Sequence, residues 1–308
     1  MTPKISIIGI GTVGQMLAYA LAIKNLGDLV LMDIKLGRAK GKALDLAQAT
    51  PILGSDAKII GTTNYADIKD SDIVVVTAGK PSEPGQSRDD LLPLNLPIIK
   101  EIGQNIAAYA PNSLIINITN PVDILTYILF KVTGFPKNRV MGMAGLLDSS
   151  RLKFCLSETL GVSFKSIEAM VLGQHGPMMV PALSKATIAG LPAEAIISSQ
   201  QTENIKSKTC EAASTIINLL EYESTGFAPA TAIAKMVEII LKDAKEIIPA
   251  SSYLEGEYDQ TGLFMGVPVV LGQTGVEKIW QLNLNDDEKL QFKKAAEHIK
   301  AIVSSLKI

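Results

Sequence analysis

Of the two histidines in the chain, His175 has the setting of a proton-transfer group. It lies in Gly173-Gln174-His175-Gly176-Pro177, where flanking glycines keep bulk away and let a ligand come close. Imidazole titrates near neutrality, which makes His175 the candidate general acid and base; a lone histidine in such a loop fits a structural role equally well. A histidine that must hold a proton at neutral pH needs an acidic neighbour, and Asp148 is the candidate. Arg151 stands one helical turn further on, a spacing that also fits a surface ion pair worth under about 1 kcal/mol. Arg88 lies in the Pro/Gly-rich segment 79–88, which is longer than most loops of its kind. Loops of that length beside a ligand are often lids, and the other reading is an exposed loop arginine. His298, flanked by charge on the polar side of the last helix, reads as a solvated residue.

A second constellation points to phosphate. Gly9, Gly11 and Gly14 form G-x-G-x-x-G directly after a strand-like run and at the start of a helical pattern. The glycines let backbone approach a pyrophosphate, whose charge a helix N-terminus stabilises. Asp33 ends the next strand, where a carboxylate accepts the ribose hydroxyls of an adenosine and repels a 2′-phosphate. The expected cofactor is therefore NAD rather than NADP; the alternative is glycines that merely turn the chain and an aspartate that caps a strand. Thr77-Ala78-Gly79 leaves the fourth strand at its carboxyl end, where ligands bind in such sheets. Asn120 is read as the end of a further strand, Ile118-Thr119-Asn120-Pro121, with an amide suited to cofactor or substrate; an isolated Asn-Pro also fits a simple turn.

These residues need a scaffold, and the periodicity supplies one. Ile5–Ile8, Leu29–Met32, Ile73–Val76 and Leu114–Ile116 are short apolar runs of the kind buried on both faces of a parallel sheet. Helical patterns at Val13–Ile23, Ala39–Ala49, Leu91–Tyr109 and Val122–Lys131 alternate with them. The expectation is an α/β fold: a Rossmann-type doubly wound parallel sheet over residues 1–145, followed by an α+β substrate domain over 146–308. In the second part helices are expected at Asp148–Leu160, about Glu194–Tyr222, Pro229–Asp243 and from Asn285, where Glu288 completes a capping box. Ile247–Leu254 and Leu263–Leu271 read as an antiparallel hairpin. The alanines at 228, 230, 232 and 234 fit either a subunit contact or internal packing.

The 308 residues carry 29 Lys plus Arg against 31 Asp plus Glu, so a broad basic face for nucleic acid is not expected. The uncharged window Ile102–Val122 contains asparagines and prolines, so no membrane span is expected. Cys155 and Cys210 have no metal-ligand spacing and read as two buried thiols in a reducing, cytoplasmic setting; no metal site is expected.

Taken together the residues resemble the malate/lactate dehydrogenases over essentially the whole chain. Gly9-Ile10-Gly11-Thr12-Val13-Gly14 resembles the family's cofactor loop and Thr119-Asn120-Pro121-Val122-Asp123 its central signature. Gly142-Met143-Ala144-Gly145-Leu146-Leu147-Asp148-Ser149-Ser150-Arg151 is similar to the malate form. The resemblance implies an NAD-dependent oxidoreductase for an (S)-2-hydroxy acid and its 2-oxo acid, working as a homodimer or homotetramer. It implies that His175 gives a proton to the carbonyl oxygen, Asp148 stabilises the imidazolium, Arg151 holds the substrate carboxylate, Arg88 polarises the ketone and Asn120 helps position it. It also implies cofactor contacts from Gly9, Gly11, Thr12, Val13, Gly14, Asp33, Thr77, Ala78, Gly79, Asn95, Ile118, Thr119 and Asn120.

Three departures leave the substrate open. Ser82 stands where malate enzymes carry a second arginine for the distal carboxylate and lactate enzymes commonly carry glutamine. Thr225 is lactate-like, and Pro177 replaces the aspartate that normally follows His-Gly, which puts the setting of the histidine loop in question. The readings are malate/oxaloacetate by overall likeness, lactate or another 2-hydroxy monocarboxylate by Ser82 and Thr225, and, remotely, a non-catalytic NAD-binding sensor.

Overall fold

The computed structural model describes residues 2–81, 89–221 and 225–306; Ser82 and Arg88 lie outside the described residues. In the first half β1 (Lys4–Ile8), α1 (Thr12–Ile23), β2 (Asp28–Met32), α2 (Leu36–Leu53), β3 (Ile59–Thr62), β4 (Ile73–Val76), α3 (Leu92–Tyr109), β5 (Leu114–Asn117), α4 (Val122–Thr133) and β6 (Val140–Gly142) alternate along the chain. The Val/Ile runs pack on both faces, and every residue of β4 and β5 is buried. These six strands pair in parallel in the order 3-2-1-4-5-6. That order reverses between β1 and β4, and the reversal opens a crevice at the carboxyl ends of the strands.

The second half begins with α5 (Gly145–Leu160) and continues through β7 (Ile167–Glu168), β8 (Val171–Gly173), β9 (Met179–Pro181), β10 (Thr187–Ile188) and β11 (Leu191–Pro192). It ends with α6 (Ser199–Leu220), α7 (Phe227–Leu241), β12 (Glu246–Glu255), β13 (Thr261–Gly272), β14 (Gly275–Ile279) and α8 (Asp286–Ser305). The β12–β13 hairpin is antiparallel, as two strand-like runs flanking a polar, Gly-containing turn predict. Single bridges extend the parallel sheet into it: Ser251 pairs with Gly142 of β6, and Gly266 pairs with Gly173 of β8. β7, β10 and β11 form a small separate antiparallel sheet.

Several sequence expectations need correction. β5 stops at Asn117, so Asn120 does not end a strand but lies in the loop beyond it. Helix α6 begins at Ser199, because Ser198 and Gln201 form a capping box there, while Glu194 falls in a separate 3-10 turn. Cys155 and Cys210 are free thiols but only half-buried. His298 is not simply solvated, since its Nε2 lies 2.8 Å from Asp89 Oδ2. Of the alanines on α7, Ala230, Ala232 and Ala234 are buried within the chain's own core beside the apolar face of α1, which fits internal packing, while Ala228 is exposed. Among the described residues no helix is long and apolar enough to cross a membrane.

Helix α7 holds α1, the helix that follows the glycine loop, through charge as well as packing. Glu238 accepts from Lys24, the residue that caps the end of α1, and from Lys242, which caps its own helix, each at 2.7 Å. These hydrogen bonds hold the Glu238 carboxyl well below its usual range, down to about 2. A carboxylate depressed in the folded state stabilises the fold above its unfolded value and loses that contribution as pH falls through the folded one. Glu238→Gln is therefore expected to lower the melting temperature at pH 7 by roughly 2 °C, in line with an ion pair worth under about 1 kcal/mol. Thermal unfolding followed at decreasing pH should show that gap narrowing below about 4.5 and closing near 2.

Candidate active site

Asp148 sits in the first turn of α5, where the helix N-terminus favours a negative charge. Its side chain is almost fully buried and accepts from both His175 and Arg151. Oδ2 accepts from Nδ1 of His175 at 2.7 Å, and Oδ1 accepts from Nη1 of Arg151 at 3.0 Å. Asp148, Arg151 and His175 are all buried, at 1 %, 8 % and 5 % exposure, so the pairing is no surface ion pair. A carboxylate accepts and does not donate, so Nδ1 carries the hydrogen and Nε2 is left as the exchanging nitrogen. The carboxylate also favours the imidazolium form once Nε2 takes a proton.

The histidine loop is pinned from below by a residue that the sequence reading did not single out. Asp123, in the first turn of α4, accepts the backbone N–H of His175 through Oδ2 at 2.8 Å and the Ser251 hydroxyl through Oδ1 at 2.5 Å. The Ser149 hydroxyl of α5 accepts the Val171 N–H at 2.8 Å and so fastens α5 to β8, the strand that leads into the loop. Pro177 disturbs none of this. Met179 N–H closes a turn onto Gly176 O at 3.1 Å with Pro177 at the second position, where proline's fixed φ is favoured. Asp89, Pro121, Val122, Asp123, Gln174, His175, Gly176 and Pro177 line a cleft over this cluster.

The three loops at the carboxyl ends of β1, β4 and β5 are tied to one another. Thr77 Oγ1 donates to Gly9 O at 2.5 Å, and Thr119 Oγ1 donates to Ala78 O at 2.8 Å. Gly9 has φ +100°, and a Cβ there would lie 2.5 Å from Ala78 N. A Cβ on Gly14 would lie 2.1 Å from Gly9 O, so only glycine lets α1 start this close to the loop. Asn95 is fully buried in α3, with Oδ1 accepting from Lys80 N–H at 2.7 Å and Nδ2 donating to Asn120 O at 2.9 Å. Its amide thus joins the loop after β4 to the loop after β5.

These loops fit a dinucleotide. A Cβ on Gly11 would meet nothing within 4 Å, and α1 begins without a side-chain cap, leaving open ground before its N-terminal donors. Asp33 is 8 % exposed, accepts the N–H groups of Ile10 and Lys35, and has Arg38 Nη1 3.6 Å from Oδ2, so its carboxylate is tied to the glycine loop at Ile10. Asn120 Oδ1 is buried without a hydrogen-bond partner among the described residues, an orphan that a ligand donor would satisfy. Thr12 and Val13 are half-buried at the start of α1, and Ile118 and Thr119 are buried in the β5 loop. Thr225 is half-buried just before α7, next to Gly226, whose Cβ would press on Met16 Sδ and Thr12 Cγ2 of α1. No cluster of three or more metal-ligating side chains occurs among the described residues.

A glycine-loop nucleotide crevice beside a buried imidazole–carboxylate–guanidinium cluster defines a nicotinamide-dependent dehydrogenase. Residues 3–142 match the family model for the lactate/malate dehydrogenase NAD binding domain, and residues 146–307 that for the lactate/malate dehydrogenase alpha/beta C-terminal domain. The chain belongs to the lactate/malate dehydrogenase family. It is 46 % identical over 305 residues to the malate dehydrogenase of Geobacillus thermodenitrificans, covering 98 % of each chain. Malate dehydrogenase of Cryptosporidium parvum superposes with a TM-score of 0.98 at 41 % identity, over 100 % of this chain and 99 % of that one. The lactate dehydrogenase of the same organism, solved with lactic acid and nicotinamide adenine dinucleotide, gives 0.97 at 38 %, over 99 % and 98 %. The chain is an NAD-dependent oxidoreductase that interconverts 2-hydroxy and 2-oxo acids.

Two outcomes follow from this geometry. Asp123→Ala strands the His175 N–H and the Ser251 hydroxyl, each at about 1–3 kcal/mol if left unsatisfied. The variant is expected to melt several degrees lower and to lose kcat about tenfold or more, while NADH titration gives an unchanged affinity. Burial pushes the Cys210 thiol up to about 11, with the Asp148 and Glu211 carboxylates adding to the effect. Intact-mass kinetics with iodoacetamide at pH 7.5 should accordingly show Cys210 alkylated far more slowly than a free thiol, with the rate climbing only toward that value.

Proposed function

We propose that the chain is a dehydrogenase of malate and oxaloacetate, with His175 as the acid and base of the reaction. The shared Asp148 carboxylate carries the assignment of roles. It holds His175 with Nδ1 protonated, so Nε2 delivers a proton to the carbonyl oxygen in reduction and takes it back in oxidation. It also holds Arg151 beside the imidazole, where a guanidinium pairs with the substrate carboxylate through two parallel hydrogen bonds that lysine does not reproduce. NAD, when bound, supplies or accepts the hydride. Gly9 to Gly14, Asp33, Thr77 to Gly79 and Ile118 to Asn120 form the wall that binds it, with Asn95 holding two of those loops in register. Asn120 orients the reacting carbonyl, and Arg88 stabilises its developing negative charge.

Malate is favoured by likeness to malate dehydrogenases along 98 % of the chain. Ser82 and Thr225 favour the second reading, a 2-hydroxy monocarboxylate, because a distal carboxylate buried without a cation costs several kcal/mol. We further propose a homodimer or homotetramer in the cytoplasm. Apolar side chains stand exposed on α1, α2 and α7, among them Ile23, Leu44, Ile52 and Phe227, and both cysteines are free thiols.

NADH oxidation with oxaloacetate, pyruvate and longer 2-oxo acids tests the reading: oxaloacetate is expected to show the highest kcat/KM. Preference for pyruvate would move the chain to the second reading, and absence of turnover would overturn both. In the same assay His175→Asn should lower kcat by a factor of about 100 or more while NADH still binds. Ser82→Arg should raise the oxaloacetate-to-pyruvate ratio by more than a change of one methylene does, about 10-fold or more. Light scattering is expected to give two or four times the 32.9 kDa chain mass.

A further inference from the structure

Lys42 lies on α2, away from the acid–base cluster, and its ammonium is spent on the glycine loop. Nζ donates to the carbonyl oxygen of Ile10 at 2.8 Å. Ile10 stands between the first two glycines, its side chain is fully buried, and its own N–H donates to Asp33 Oδ2 at 3.2 Å. Both peptides that flank Ile10 are therefore held by charged groups, one by a carboxylate and the other by an ammonium. Lys42 has no carboxylate within ion-pair distance among the described residues, so the carbonyl is its principal partner. Burial and the Arg38 guanidinium pull the lysine below its ordinary value, while Asp33 opposes them. Lys42 is thus half-buried, with its ammonium held against the loop by the Ile10 carbonyl.

A planar trans peptide points its N–H opposite to its C=O. Anchoring the Ile10 carbonyl consequently sets the direction of the N–H of Gly11, the N-cap residue of α1, where no side-chain cap occupies the helix end. A cation on the carbonyl also polarises the peptide and strengthens that N–H toward an anion. We propose that Lys42 is a positioning residue of the dinucleotide site, fixing and polarising the Ile10–Gly11 peptide for the cofactor's pyrophosphate before the cofactor arrives. The inference rests on the NAD-binding reading of the glycine loop and adds to it a residue outside the glycine motif.

The test compares the full-length parent with Lys42→Met, which keeps length and loses charge, and Lys42→Arg, which restores a cationic donor. Affinities for NADH, ADP and adenosine are measured by fluorescence and calorimetric titration, together with melting temperature and steady-state kinetics. Lys42→Met is expected to weaken NADH and ADP about tenfold, as for a hydrogen bond to a charged group, and to leave adenosine within twofold. Its kcat at saturating NADH and its KM for the 2-oxo acid should stay within about twofold. Lys42→Arg should recover most of the lost affinity. Unchanged NADH affinity in Lys42→Met overturns the proposal, and so does equal weakening of ADP and adenosine with a lowered melting temperature, which is the mark of general loosening. A parent that binds no NADH would overturn the cofactor reading and this proposal together.

Discussion

A carboxylate removed from water has to be paired, and Asp148 is paired with His175 Nδ1 at 2.7 Å and with Arg151 Nη1 at 3.0 Å. Removing any one of the three leaves a buried charge or donor uncompensated, a loss of about 3–5 kcal/mol when a buried pair is broken. The surrounding structure is built to keep the three in place. Gly145 lets α5 begin against Pro249 and Val171 O, where a Cβ would approach to 2.6 Å of either. Ser149 then fastens that helix to β8, and Asp123 fixes the loop that follows from the opposite side. The histidine is thus held by its ring and by its backbone from two different helices.

The same economy governs the nucleotide crevice. The reversal of strand order between β1 and β4 brings three loops together, and side-chain hydroxyls and amides bind each loop to the next. Asp123 and Asn120 come from one short segment, so the loop beyond β5 continues directly into the helix that steadies His175. The crevice loops and the Asp148–His175 cluster therefore meet at Asn120–Val122, where Pro121 and Val122 also line the cleft around His175.

Much of this was legible in the sequence because it is encoded locally. The glycine loop, Asp33 and the β-branched runs are contiguous patterns, and they predict the parallel sheet and its crevice without tertiary information. The Asn285 capping box is another such pattern and starts α8 where expected. Signals that depend on distant partners were not legible. Ser251 reaches Asp123 only because β12 pairs with β6, and Lys42 reaches Ile10 only once α2 has packed beside the glycine loop. His298 read as solvated because its partner, Asp89, is far away in the chain. The start of α6 was misplaced because Glu194 continues the polar pattern while the Ser198 cap overrides it. The β propensity of Ile118 and Thr119 extends the predicted strand to Asn120, yet β5 ends at Asn117, whose amide turns to Thr119 O, Val122 O and Thr126 Oγ1.

One buried carboxylate fixes His175 with Nδ1 protonated, which leaves proton exchange to Nε2. With only two histidines in the chain, nitrogen-15 NMR of histidine-labelled protein resolves the point, His298→Gln supplying the assignment. At a pH where the ring is neutral, His175 is predicted to show a protonated Nδ1 and an unprotonated Nε2, and this tautomer preference should be lost in Asp148→Ala. A protonated Nε2 in the parent, or a tautomer indifferent to residue 148, would contradict the account.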